Sequence, residues 1–208
     1  MVMEGVSQGQ IRCFVAIEIP ETIQDLLISV QDELKTKICG ASWVKRGNLH
    51  LTLRFLGDVA PDQIGVIKNV IEQVAGNYPP FSMQIGDIGA FPNLTRPRVI
   101  WAGVKTGMAE ITAIAQEINT KLIRCGCPLA RKPFHPHLTL SRLKSQIDLT
   151  PNVSMFQQFD AIDSTPIPVN AIRLTQSQLH PSGAVYTPLQ TYPLNNCLTV
   201  QPLGTLTC

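Results

Sequence analysis

The sequence predicts an α+β fold built on antiparallel sheet, and three observations carry that prediction. Apolar runs of period 2 and of period 3.6 interleave, yet several of the strand-like runs follow one another with no helix between them. No GxGxxG or GxxxxGK[ST] loop follows a strand, so the usual phosphate cradles of doubly wound parallel folds are missing from the sequence. The tetrapeptide HLTL occurs twice, at 50–53 and at 137–140, each time on a strand-like run that follows a helix-like one.

The elements follow in order. "IRCFVAIEIP" (11–20) is apolar on both faces, as a buried strand is, and Pro20 ends it. Ile23, Leu26, Leu27, Val30 and Leu34 then recur at helical spacing. "SWVK" (42–45) and "NLHLTLRFLG" (48–57) read as strands. Pro61 opens a second helix with Ile64, Ile67, Ile71 and Val74 on one face. "FSMQIGDIGAF" (81–91) and "RVIWAGV" (98–104) are strands around a proline-rich turn. Met108, Ile111, Ala115, Ile118 and Leu122 mark a third helix, which ends at CGC (125–127) with Gly126 and Pro128 turning the chain. "HLTLSRL" (137–143) is a strand, followed by a looser polar segment. "IPVNAIRLTQSQL" (167–179) and "AVYTPLQTYPL" (184–194) complete the set. Residues 1–10 read as an N-terminal extension, 11–194 as one bilobal domain and 195–208 as a C-terminal tail.

Composition sets the class. The 208 residues are long enough to bury a large core without a disulfide or metal staple. Apolar residues make up 44% and charged residues 15%, as in globular domains. Seventeen basic and 15 acidic residues leave a net charge of +2, too balanced to hold long nucleic acid by charge alone. No run of about 18 apolar residues predicts a membrane helix, and the first residues lack a cationic start followed by an apolar run. The six cysteines contain no CxxC pair and read as free thiols of a cytoplasmic protein.

The repeated word carries the chemistry. The copies lie 137 − 50 = 87 residues apart, which suggests two similar halves facing each other. On an ideal strand His50 and Thr52 share one face, while Leu49, Leu51, Leu53 and Phe55 share the other; His137 and Thr139 repeat the pattern in front of Leu138 and Leu140. Alternation of this kind is also what any half-exposed strand shows; its recurrence with the same apolar backing points to function. Two imidazoles facing one cleft suit paired acid–base work near neutral pH, one taking a proton from water and the other giving one to a leaving alkoxide. A phosphodiester between them is attacked and cleaved in line, so acid and base must approach from opposite sides. The rival reading is a zinc site of His50, His135 and His137, since "HPH" places two imidazoles on one face. No nearby carboxylate orients either ring, and the first copy has no counterpart of His135, which reads as a strand-entry residue; His180 reads as a turn residue.

At these residues the chain resembles the two-histidine (2H) phosphoesterases, and within them the RNA 2′,3′-cyclic phosphodiesterases of bacteria and archaea, also described as 2′-5′ RNA ligases. The two HLTL words are the family signature. "RCFVAIEIP" (12–20), "WVKRGNLHLTLRFLGD" (43–58), "RPRVIWAGV" (96–104), "FHPHLTLSR" (134–142) and "LTQSQLHPSGAVYTPL" (174–189) resemble family segments in the family's order. The resemblance implies two pseudo-symmetric α+β lobes, each an antiparallel sheet with flanking helices, around a central cleft. It implies metal-independent hydrolysis of an RNA-terminal cyclic phosphate to a 2′-phosphomonoester. His50 is then the general acid and His137 the general base; by residue pattern alone the two are interchangeable. Thr52 and Thr139 hold the non-bridging oxygens. Arg142 matches the family's basic residue but falls on the leucine side of an ideal strand. Phe14 and Tyr186 are candidates for stacking a base, with core packing as the competing reading; Arg54 shares the parity of His50 and is placed in the cleft or on a solvated edge. Trp43 and Trp101 are assigned to core or rim. The expected partners are RNA 3′ ends or small cyclic nucleotides, with no cofactor, no metal and no membrane, and a monomer is expected. The alternatives are another cyclic or 2′-5′-linked substrate, ligation in reverse, or a module that only binds RNA ends.

Overall fold

A computed structural model describes residues 9–130, 133–144, 147–159, 165–181 and 183–195. The extension and the tail expected at 1–10 and 195–208 thus fall, except for their inner ends, outside the described residues. The elements are β1 (Ile11–Glu18), α1 (Glu21–Lys35), β2 (Ala41–Trp43), β3 (His50–Val59), α2 (Pro61–Gly76), β4 (Phe81–Phe91), β5 (Val99–Thr106), α3 (Met108–Arg124), β6 (His137–Leu143), α4 (Val153–Gln157), β7 (Ile167–Val169), β8 (Ala171–His180) and β9 (Gly183–Pro193). The expected α+β class holds, with every described pairing antiparallel.

Three local expectations are corrected. The run 167–179 is two strands, because Asn170 breaks it: β7 pairs with β4, while β8 pairs with β1 and β9. The polar segment after β6 contains α4, anchored by buried Phe156, whose single turn is too short to show a period. The strand expected from residue 48 starts at His50, because Arg46–Asn48 form a 3₁₀ turn.

The strand order is β7-β4-β5-β6-β3-β1-β8-β9, with β2 beside β6. Two half-sheets therefore meet at β3 and β6, where among the described residues Leu51 pairs with Leu138. These leucines hold the same place in the two words, so a local two-fold axis passes between them. Both are fully buried, as is Leu140, and Leu53 is nearly so.

The helices cross over between the halves. Gln31 of α1 is buried, and its amide Nε2 donates to the carbonyl of Leu140 in β6 (3.2 Å) and of Val44 (3.0 Å). α3, from the second half, packs behind β3 of the first. Arg54 of β3 donates to the carbonyl of Pro128, just after α3. Gly126 takes a positive φ of 85° as α3 ends, the left-handed turn that lets the chain leave the helix and reach this contact. Each half thus supplies the backing of the other's HLTL strand.

Both HLTL strands carry a β-bulge at the same place. Val15 pairs with Arg54 and Ala16 with Thr52, so Leu53 is the extra residue in β3. Ile100 pairs with Ser141 and Trp101 with Thr139, so Leu140 is the extra residue in β6. One extra residue shifts the side-chain alternation by one, so the residues next after it change face. Leu53 and Arg54 are consecutively buried and Phe55 is exposed; Leu140 and Ser141 are consecutively buried and Arg142 is exposed. The ideal-strand expectation is therefore corrected at three positions. Phe55 and Arg142 lie on the histidine face, and Arg54 lies on the opposite, buried face.

Candidate active site

The two words lie side by side. The Leu51–Leu138 register, continued by one residue each way, sets His50 across from Thr139 and Thr52 across from His137. The histidines occupy one diagonal of this four-residue patch and the threonines the other.

Each imidazole is fixed from behind by its own strand entry. His50 Nδ1 donates to the carbonyl of Asn48 (2.8 Å), and His137 Nδ1 donates to the carbonyl of His135 (2.7 Å). A carbonyl only accepts, so Nδ1 carries the proton in both rings and Nε2 is left as the reactive nitrogen. The Thr52 hydroxyl lies 2.9 Å from His50 Nε2. Asn48 is itself held, its amide donating to the carbonyl of Ala184 in β9 (2.8 Å). Single-sequence reasoning missed Asn48, because a backbone carbonyl leaves no mark in residue type; the shared signal is position, two before each histidine. The carboxylate sought in the sequence is replaced by these carbonyls.

The walls differ between the lobes. In the first, Phe14 stacks on His50 (centroids 4.6 Å, planes 22° apart), and Tyr186 meets both rings edge-on at 5.0 and 5.3 Å. Phe14 is only 3% exposed, so its ring serves mainly as a wall for the imidazole. In the second, Phe91 of β4 stands edge-on to His137 (5.0 Å) and to His135 (5.4 Å), and Trp101 packs against Phe91 at 5.1 Å. Gly89 sits under Trp101, where a Cβ would come within 2.3 Å of the indole. Phe91 was not singled out in the sequence. Trp43 of β2 pairs with Ser141 of β6 and is half-buried, with the Lys35 ammonium 5.7 Å from its ring.

Burial pushes both histidines below their ordinary value of 6.5, outweighing the carbonyls that favour the charged ring. The Arg142 guanidinium pushes both down further, as does His137 for His50 and His135 for His137. The Arg142 charge also acts on Tyr186, whose hydroxyl is raised by burial against the pull of Arg142 and Arg12. His135 and His137 are 6.4 Å apart, centroid to centroid. Among the described residues no group of three or more His, Cys, Asp or Glu is gathered as metal ligands are.

The profile of the family described as "LigT like Phosphoesterase" matches this chain twice, at residues 17–101 and 103–186. The chain belongs to the LigT-like phosphoesterases. Each match contains one HLTL word, but the matches do not coincide with the half-sheets: β4 falls in the first match and in the half-sheet of β6, and β8 falls in the second match and in the half-sheet of β3. An RNA 2′,3′-cyclic phosphodiesterase of Aquifex aeolicus is 33% identical over 186 residues, 88% of this chain and 97% of its own length. The crystal structure of TT0787 of Thermus thermophilus is similar with a TM-score of 0.71 at 27% identity, covering 88% of this chain and 97% of that one. LigT of Escherichia coli complexed with 3′-AMP is similar with a TM-score of 0.68 at 25% identity, covering 89% and 98%. Membership makes this protein a phosphoesterase, and its named relatives act on cyclic phosphodiesters. No helix among the described residues is long and apolar enough to cross a membrane.

Proposed function

We propose that this phosphoesterase hydrolyses the 2′,3′-cyclic phosphate at RNA 3′ ends or on small cyclic nucleotides, without a metal, and leaves a 2′-phosphomonoester. The observation that carries the reading is the diagonal placement of the two histidines, each with Nδ1 held on a carbonyl and Nε2 left as the reactive nitrogen. A phosphate over the centre of the patch meets one Nε2 on each side, as in-line displacement requires. His137 Nε2 takes a proton from water as the water oxygen bonds to phosphorus. The bond from phosphorus to O3′ breaks, and His50 Nε2 delivers its proton to that oxygen. Thr52 and Thr139, on the other diagonal, hold the non-bridging oxygens, and Arg142 supplies positive charge to the phosphate. The relatives' activity on RNA 2′,3′-cyclic ends and the 3′-AMP complex of the Escherichia coli protein support the substrate class. The assignment of acid to His50 and base to His137 follows the family resemblance.

The test is turnover of a short RNA ending in a 2′,3′-cyclic phosphate, in EDTA, with the product identified by chromatography. A 2′-phosphate product is expected. Turnover lost in EDTA and restored by zinc overturns the metal-free mechanism, and a 3′-phosphate product overturns the choice of leaving oxygen.

The pH profile gives a second test. The base must be neutral, and its pKa is depressed, so the acid limb of kcat/KM lies below 6.5. The acid must be protonated, and its pKa is depressed too, so the alkaline limb also starts below 6.5. The expected kcat/KM is a bell peaking on the acid side of 6.5. A bound anionic phosphate favours both charged rings, so the kcat profile is expected at higher pH than the kcat/KM profile. Coincident profiles centred above 7 would contradict the burial argument.

A further inference from the structure

One large apolar side chain on the cleft face has no part in the proposed chemistry. Phe55 is 60% exposed. The β3 bulge brings it to this face, at the place where the second lobe carries Arg142. Its ring lies 6.0 Å from Phe14, tilted by 50°, and Phe14 in turn carries His50 and Tyr186. Arg12 follows on the same face of β1, two residues from Phe14 and exposed, and its charge reaches Tyr186. Its carboxylate partner is Asp58, at 3.6 Å, in an exposed pair. A track therefore leads out of the cleft along the first lobe, from His50 past Phe14 and Tyr186 to an open aromatic face and then a cation.

An RNA that ends in a cyclic phosphate continues in one direction only, through the 5′ oxygen of its terminal nucleotide. Any further nucleotide that this protein contacts lies upstream. An open aromatic face accepts a base of any identity, and an adjacent cation accepts the backbone phosphate. Exposed ion pairs such as Arg12–Asp58 are weak, so a phosphate competes for the guanidinium. We infer that Phe55 stacks the base of the penultimate nucleotide, with Arg12, the next group outward, beside the RNA backbone upstream of it. The inference rests on the proposed function above and adds a second nucleotide to its substrate.

The experiment compares adenosine 2′,3′-cyclic phosphate with the dinucleotide ApA ending in the same cyclic phosphate. The readout is the ratio of kcat/KM for dinucleotide over mononucleotide, in the wild type, Phe55→Ala and Phe55→Tyr. The wild type is expected to prefer the dinucleotide. The ratio is expected to fall about tenfold in Phe55→Ala, from the typical worth of one stacked base, and to be kept in Phe55→Tyr. A wild type with no preference, a ratio that Phe55→Ala leaves unaltered, or equal loss on both substrates overturns the inference. A wild type that turns over neither substrate overturns the proposed function itself, and this inference with it.

Discussion

Replacing His137 by Ala is expected to lower kcat on a 2′,3′-cyclic phosphate about 10²–10⁴-fold, and His50→Ala to do the same. Nε2 is the reactive nitrogen of each ring, and each ring stands on its own side of the phosphate. The double variant is expected to lose little more than the worse single one. Once one half of a concerted proton transfer is gone, the other has little left to assist. The two losses should differ in their response to the leaving group. A substrate with a more acidic leaving alcohol needs no proton, so it should restore turnover to His50→Ala and not to His137→Ala. Rescue of His137→Ala instead would exchange the roles of acid and base. Single-turnover assays at saturating substrate give these values directly. Loss of less than tenfold in both variants would remove the histidines from the chemistry.

Leu138→Ala is expected to cost about 2–5 kcal/mol of folding stability, as for other large-to-small changes in a core that cannot collapse. Leu138 is fully buried, and with Leu51 it makes the only described pair between the two half-sheets. The helices are exchanged across that seam, so the cavity has rigid walls on both sides. The same exchange predicts one cooperative transition in urea, with the midpoint lowered in the variant. Leu179→Ala, at a position 70% exposed, serves as the control and should stay within about 0.5 kcal/mol of the wild type. Two separate transitions in the wild type would show halves that fold independently, against the crossed helices.

Much of this architecture was legible from local pattern. The period of apolar residues located α1, α2 and α3 within a few residues, since each buries a stripe such as Ile111, Ile114, Ala115, Ile118 and Leu122. The β4 and β6 bounds match their apolar runs. Where pattern failed, a non-local partner decided. Asn170 separates β7 from β8 because two different neighbours, β4 and β1, claim the flanking residues. α4 is too short to carry a period, and its Phe156 is held by the core around it.

The site divides in the same way. The sequence by itself determined which residues could do the chemistry: two imidazoles and two hydroxyls, each pair backed by leucines, written twice. It also determined that the copies lie on strands, because alternation is a property of neighbours along the chain. Tertiary structure alone decided which other side chains join them. Parity along a strand holds only until an extra residue enters, and the pairing of β3 with β1 and of β6 with β5 places that residue. The bulges take Arg54 off the histidine face and bring Phe55 and Arg142 onto it. Tertiary structure also decided the tautomers, because the groups that fix Nδ1 are backbone carbonyls that every residue possesses and only a folded chain can aim.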